Sequence, residues 1–202
     1  MPLKQSVYLV RHGETAANKD KEFRGWVDFP LDAHGEEEAK RLKEHFKISF
    51  SDVHSSDLQR ASDTAKIIAG RKPKTHEAMR PWDVGDLAGE KKVDHKDTIE
   101  YAVKHPDKPL PEGESLNEFR KRFRPAIRAI MDEAKKYKGP ILVVCHASNI
   151  HEIGTMLTGS ADAFDIGPGG AIEIHPTGKT SWTGKVICGD QHKGSKHEYE
   201  TS

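Results

Sequence analysis

Four residues stand where chemistry is expected. His12 and His146 each follow directly on a short apolar run, residues 6–10 and 141–145, and Arg11 stands beside the first of them. Apolar runs of this length, rich in β-branched residues, read as strands buried on both faces that stop where they reach a loop. Ligands of open α/β sheets bind outside the carboxyl ends of such strands. Arg60 belongs to the first turn of a helix announced by Ser56-Asp57-Leu58-Gln59, a Ser-x-x-Gln capping box, so its guanidinium and the helix's first N–H groups can face one anion. Two arginines and two histidines on one rim make a compact cationic pocket. It suits a dianionic phosphoryl group, because arginine offers planar paired donors to its oxygens. The competing assignment for Arg60 is a surface ion pair with Asp57 or Asp63, worth only about 0.3–0.5 kcal/mol.

The elements that must position these residues alternate. Residues 36–46 carry Ala39, Leu42 and Phe46 at spacings of three and four, with acids early and bases late, as an amphipathic surface helix does. The helix opened at Ser56 runs through Ala61, Ala65 and Ile68 and stops at Gly70. A long third helix begins at Ser115-Leu116-Asn117-Glu118 and carries Leu116, Phe119, Phe123, Ile127, Ile130 and Ala134 on one face, with Pro125 expected to bend it. A fourth spans about 149–157, and later strands fall at 171–175 and 185–188, with Trp182 near the turn between them. This alternation predicts an α/β fold, a three-layer sandwich with a mainly parallel central sheet flanked by helices. Residues 87–113 show no period and read as an insertion capping one end of the sheet. The expected organisation is one domain over 1–190 and a polar tail over 191–202.

Composition excludes several classes. The 202 residues hold 32 Lys+Arg against 32 Asp+Glu, a formal charge of zero, which argues against nucleic acid or an anionic membrane as partner. Cys145 and Cys188 are too few for a disulfide scaffold and form no Cys-x-x-Cys pair, so a reducing compartment is expected. The N-terminal apolar stretch is too short for a signal peptide or a membrane span, which predicts a cytoplasmic protein. The scattered histidines from His34 to His105 have no metal-ligand spacing, and neither a P-loop nor a dinucleotide glycine pattern is present.

Longer stretches carry a resemblance. Val10-Arg11-His12-Gly13-Glu14-Thr15, then Asn18, Arg24-Gly25-Trp26-Val27-Asp28-Phe29-Pro30-Leu31 and Gly35, resemble the N-terminal signature of the histidine phosphatase superfamily, the phosphoglycerate mutase-like proteins. Ser55-Ser56-Asp57-Leu58-Gln59-Arg60-Ala61 with Thr64-Ala65, Pro111-Glu112-Gly113-Glu114-Ser115 and Val143-Val144-Cys145-His146-Ala147 are similar to its later motifs, in the family's order. The resemblance implies that His12 attacks phosphorus and is transiently phosphorylated while Arg11, Arg60 and His146 hold the phosphoryl oxygens. It also implies that Asn18, Arg24, Gly25 and Ala147 line the substrate side. No metal or cofactor is called for, since fixed cations can serve an in-line transfer.

Three departures shape the expectation. Ala147 stands where the family has glycine, so the loop after His146 must take a conformation open to alanine. The family's general acid is commonly a glutamate at the position of Pro81, in Met79-Arg80-Pro81-Trp82-Asp83-Val84-Gly85. Asp83 is the nearest carboxyl group and the expected proton donor, with Glu112 and Glu114 as fallbacks. The same segment lacks the Glu-Arg-His-Tyr-Gly of phosphoglycerate mutases. The expected activity is therefore metal-independent hydrolysis of a small-molecule phosphomonoester. The alternatives are a phosphate-recognising module with little turnover and a phosphoglycerate-type mutase.

Overall fold

A computed structural model describes residues 5–178 and 180–189. The expected tail over 191–202 lies outside the described residues. In chain order the elements are β1 (Val7–Arg11), α1 (Ala16–Lys19), α2 (Ala33–Phe46), β2 (Asp52–Ser56), α3 (Gln59–Ala69), β3 (Lys74–His76), α4 (Lys96–Lys104), α5 (Leu116–Ala134), β4 (Ile141–Cys145), α6 (Ala147–Thr158), β5 (Ala171–Pro176) and β6 (Trp182–Cys188). They build one sheet of strand order β3-β2-β4-β1-β5-β6. The first four strands in that order run parallel, whereas β5 and β6 are antiparallel to their neighbours.

The side-chain period of two sorts β1 into two cores. Val7 and Leu9 face a cluster with Phe119, Phe123, Ile127 and Ile130 of α5 and Ile150 and Ile153 of α6. Tyr8 and Val10 face Ala39, Leu42 and Phe46 of α2 and Ala61, Ala65 and Ile68 of α3. Each fully buried aliphatic or aromatic side chain contributes about 1.5–3 kcal/mol. The helix stripes read from the sequence are thus the faces that close on the sheet from either side.

Several boundaries differ from expectation. Strand β2 and the edge strand β3 were not expected, because Asp52-Val53-His54-Ser55-Ser56 is almost wholly polar, yet all five residues are buried. Their polar groups find partners supplied by the fold: Lys74 Nζ and the Tyr137 hydroxyl reach Asp52 Oδ2 at 2.5 and 2.7 Å, and the His54 and His76 rings hydrogen-bond at 3.0 Å. The capping box at Ser56 does not form, because Ser56 stays extended to pair with His76. Helix α3 starts at Gln59, and Asp28 Oδ1 accepts the Gln59 N–H at 2.7 Å. The box at Ser115 and Glu118 does form, and α5 continues through Pro125. Helix α2 begins earlier than read, capped by Asp32 Oδ1, which accepts the Gly35 N–H. Helix α6 begins two residues early at Ala147, and β6 begins at Trp182 itself.

The stretch 87–113 contains α4, whose buried face is only Ile99 and Ala102, too little to show as a period. Its backbone also grips the chain just before Arg24: Phe23 N–H donates to Glu90 O at 2.9 Å, Gly89 N–H to Phe23 O at 2.8 Å and Lys92 N–H to Lys21 O at 3.1 Å.

The buried histidines make folding pH-dependent. Burial pushes the His54 and His76 rings below the ordinary histidine range, as it does, more strongly, for His12 and His146. A histidine kept neutral in the fold binds its proton more readily when unfolded. Its stabilising share is therefore complete above the ordinary histidine value and lost as pH falls through it. Thermal melts should be level above pH ~7 and drop steadily below pH ~6.5. Asp52, held down to about 2 mainly by Lys74 and Tyr137 against its burial, loses its share only in stronger acid. A melting temperature unchanged between pH 7.5 and 5 would show that these rings charge in place.

Candidate active site

In the parallel pair β1/β4, Arg11 lies opposite Cys145, so the next residues, His12 and His146, leave the sheet side by side. Their ring centroids stand 5.1 Å apart at 61°. The His12 N–H donates to Cys145 O at 3.0 Å, which carries the strand pairing one step into the site. His12 Nδ1 lies 2.7 Å from Gly13 O. A carbonyl only accepts, so Nδ1 carries the proton and Nε2 holds the lone pair. Nε2 is buried and has no hydrogen-bond partner among the described residues.

Gly13 makes this geometry possible. A Cβ there would stand 2.4 Å from Gly35 O, at the start of α2. The Gly13 N–H donates to Thr64 Oγ1 at 3.1 Å, and that hydroxyl donates to Arg60 O at 2.7 Å. Thr64 therefore ties the loop that carries His12 to α3. Sequence reasoning gave it no role in the site.

Three guanidinium groups surround the histidines. Arg60 is wholly buried, which rules out a surface ion pair, and Asp57 is instead held by Arg80 through three contacts of 2.6–3.1 Å. Arg60 Nη1 donates to Val27 O at 2.8 Å and Nη2 to Gly25 O at 2.9 Å. Burial pushes its pKa down to about 10, so it stays cationic at neutral pH. Arg11 Nη1 donates to Ile166 O at 2.8 Å. Arg24, also wholly buried, is the strongest of the three charges acting on His12. Burial first, then Arg24, Arg60 and Arg11, hold His12 well below the usual histidine range. Burial, then Arg60, His12, Arg24 and Arg11 do the same to His146. Both rings are neutral at physiological pH, the state a nitrogen nucleophile needs.

The N-terminus of α6 opens onto this group. His146 is its N-cap, Asn149 Oδ1 accepts the His146 N–H at 3.1 Å, and Ala147 is the first helical residue, where its methyl costs nothing. Helix N-termini favour anions. The Cys145 thiol is buried and pushed up to about 12, so it is no nucleophile.

The remaining predicted residues divide. Gly25 has φ +49°, its carbonyl serves Arg60, and a Cβ there would meet Val84 Cγ2 at 2.9 Å. Asn18 Oδ1 accepts the Thr15 N–H and hydroxyl, both at 3.0 Å, and so caps α1. Asp83 lies beside Gly25, with Oδ1 3.6 Å from where a Gly25 Cβ would stand, and that oxygen accepts the Gly85 N–H at 3.1 Å. Glu114 is paired with Arg122, and Glu112 is exposed in a left-handed turn with φ +51°. Trp26, Arg80 and Arg122 were not read from the sequence as part of the site's surroundings. The Trp26 ring lies under both guanidinium carbons, at 4.9 and 5.2 Å, and its Nε1–H donates to Pro81 O at 2.9 Å. This joins the Arg24 loop to the 79–84 segment.

The chain is similar to known proteins in sequence and in fold. Over 160 residues the chain is 32% identical to phosphoglycerate mutase-like protein 4 of Arabidopsis thaliana, covering 73% of this chain and 68% of the relative. It is 30% identical over 189 residues to a protein of Hydrogenobacter thermophilus named as a candidate phosphoserine phosphatase, covering 87% and 91%. Its match to a probable phosphoglycerate mutase GpmB of Klebsiella pneumoniae, 33% identical, covers 62% of this chain and spans only 63% of that relative's length. Among solved structures, a phosphoglycerate mutase from Bacillus anthracis superposes with a TM-score of 0.78 at 25% identity, covering 90% of this chain and 92% of that one. The family model described as histidine phosphatase superfamily (branch 1) matches residues 7–181. With the paired histidines and buried arginines on the carboxyl rim of β1 and β4, the chain belongs to the histidine phosphatase superfamily.

Proposed function

We propose that the protein hydrolyses small-molecule phosphomonoesters without a metal, through a phosphohistidine on His12. The observation that carries this reading is the buried Nε2 lone pair of His12, oriented by Gly13 O and surrounded by Arg11, Arg24 and Arg60. In the first half-reaction Nε2 attacks phosphorus in line with the leaving oxygen; the N–P bond forms as the P–O bond breaks, and the leaving oxygen departs with that electron pair and takes its proton from water. The guanidinium groups and the α6 N-terminus meet the charge on the other phosphoryl oxygens. In the second, water attacks phosphorus, the P–N bond breaks and His12 is restored. The charges a metal would bring are already fixed in the site.

A mutase is the second reading, favoured by the names of several relatives. The segment Pro81-Trp82-Asp83-Val84-Gly85 favours hydrolysis. The test is release of phosphate from a panel of phosphomonoesters, in EDTA, beside a mutase assay with 3-phosphoglycerate and 2,3-bisphosphoglycerate. Chelation should leave phosphate release intact, and isomerisation should be slower than hydrolysis. Isomerisation outrunning hydrolysis would establish the mutase. Phosphate binding with no turnover of any ester would leave only a recognition module.

A further inference from the structure

Of the three consecutive glutamates in the first turns of α2, Glu36 and Glu37 are exposed and Glu38 turns inward. Its Oε2 accepts the Glu14 N–H at 2.8 Å. That N–H belongs to the Gly13–Glu14 peptide, the same peptide whose carbonyl oxygen accepts the His12 Nδ1–H at 2.7 Å. One peptide plane thus joins a carboxylate to the imidazole, with a partner at each end of its dipole. Glu38 is not needed to cap its own helix, because Asp32 Oδ1 does so by accepting the Gly35 N–H.

Close approaches at two glycines build the slot that holds it. A Cβ on Gly35, one turn before Glu38 on the same face of α2, would stand 2.2 Å from Glu14 O and 2.6 Å from Glu14 N. On the other side, a Cβ on Gly169 would meet Glu38 Cβ at 2.9 Å and Cδ at 3.1 Å, and the Gly169 N–H reaches the Arg11 and His12 carbonyls, both at 3.2 Å. The Glu14 carbonyl accepts the Asp32 N–H at 3.1 Å. The other carboxylate oxygen, Oε1, faces outward, 3.7 Å from His34 Nδ1.

We propose that Glu38 is a positioning residue for the nucleophile, acting on His12 through the Gly13–Glu14 peptide. This rests on the phosphohistidine reading. Hydrogen bonds in a chain polarise one another, so a carboxylate accepting from the N–H of a peptide pushes electron density onto its carbonyl. The strengthened carbonyl keeps the proton on Nδ1 and aims the Nε2 lone pair into the site. As the Nε2–P bond forms and the P–O bond breaks, with its electron pair leaving on that oxygen, positive charge spreads through the ring to Nδ1–H. Burial and the charges of Arg24, Arg60 and Arg11 oppose positive charge on this ring, and the Gly13 carbonyl favours it. Backed by Glu38, that carbonyl meets the developing charge while the proton stays on Nδ1 throughout.

The test compares Glu38→Gln, which keeps an acceptor for the Glu14 N–H but removes the charge, with Glu38→Ala, which removes both. Single-turnover release of 4-nitrophenol from 4-nitrophenyl phosphate reads His12 phosphorylation, and competition by inorganic phosphate reads binding. Phosphorylation should slow about 10-fold in Glu38→Gln and up to about 100-fold in Glu38→Ala, the range for partners that orient a metal-bound histidine through its second nitrogen. The inhibition constant of phosphate should change less than ~threefold in both, since Glu38 does not touch the anion. In protein carrying isotope-labelled histidine, the His12 Nδ1–H resonance, identified by its absence from His12→Ala, should move upfield in both variants as its hydrogen bond weakens. Melting temperatures confirm folded protein, and Glu38→Gln decides the matter if Glu38→Ala fails to fold. An unslowed Glu38→Gln, an unmoved Nδ1–H resonance, or a loss confined to phosphate affinity would overturn the proposal. No phosphoryl adduct on His12 of the wild type would end the phosphohistidine reading instead, a result distinct from the resonance shift, which needs no substrate.

Discussion

His12→Ala is expected to lower turnover by at least ~10⁴-fold, because the covalent route disappears and only the charges that hold the phosphoryl group remain. The fold should survive. Removing His12 deletes one hydrogen bond to Gly13 O, worth about 1 kcal/mol, and also removes a ring whose burial opposes its charging. The backbone links to Cys145 O and Thr64 Oγ1 do not need the imidazole. Melting temperature and kcat on the same preparation check this. Activity above a few per cent of wild type would move the nucleophile elsewhere.

Arg60→Ala is the second large effect. Its guanidinium joins two jobs: it supplies positive charge to the histidine pair and it fixes the Gly25 and Val27 carbonyls. Loss of one preorganised donor to a developing oxyanion costs about 2–4 kcal/mol, so kcat/KM should fall roughly 30- to 1000-fold. Losing the anchor of the Arg24 loop should push the change to the upper part of that range. Arg60→Lys should recover little, because one ammonium cannot span two carbonyls with the fork of a guanidinium. A change below threefold would place Arg60 outside the chemistry.

The parts of this molecule that the sequence announced are those whose partners are close along the chain or whose apolar period is long. Strands β1 and β4 showed as unbroken apolar runs because both faces are covered, and α5 showed its whole buried stripe. Strand β2 did not, because its burial depends on Lys74, His76 and Tyr137, contributed from elsewhere in the fold. The pairing of Arg11 with Cys145 could not be read from either strand alone. It is this register, however, that brings His12 and His146 together. A proton donor is not legible in a segment alone, because a carboxyl group's work depends on which neighbours claim its oxygens. For Glu114 those are Arg122 and the Asp83 N–H, residues 8 and 31 positions away. Arg24's burial follows from a loop held by Arg60 and by the 89–92 backbone, contacts without any sequence period.

The most direct measurement is trapping of the intermediate. Wild-type protein mixed with 4-nitrophenyl phosphate, quenched within milliseconds into alkali to preserve a phosphorus–nitrogen bond, and digested for mass spectrometry should carry one phosphoryl group on the peptide containing His12. The adduct should form as fast as nitrophenol is released and be absent from His12→Ala. Nitrophenol release by the wild type with no adduct on His12, or an adduct on His146 instead, would contradict the account.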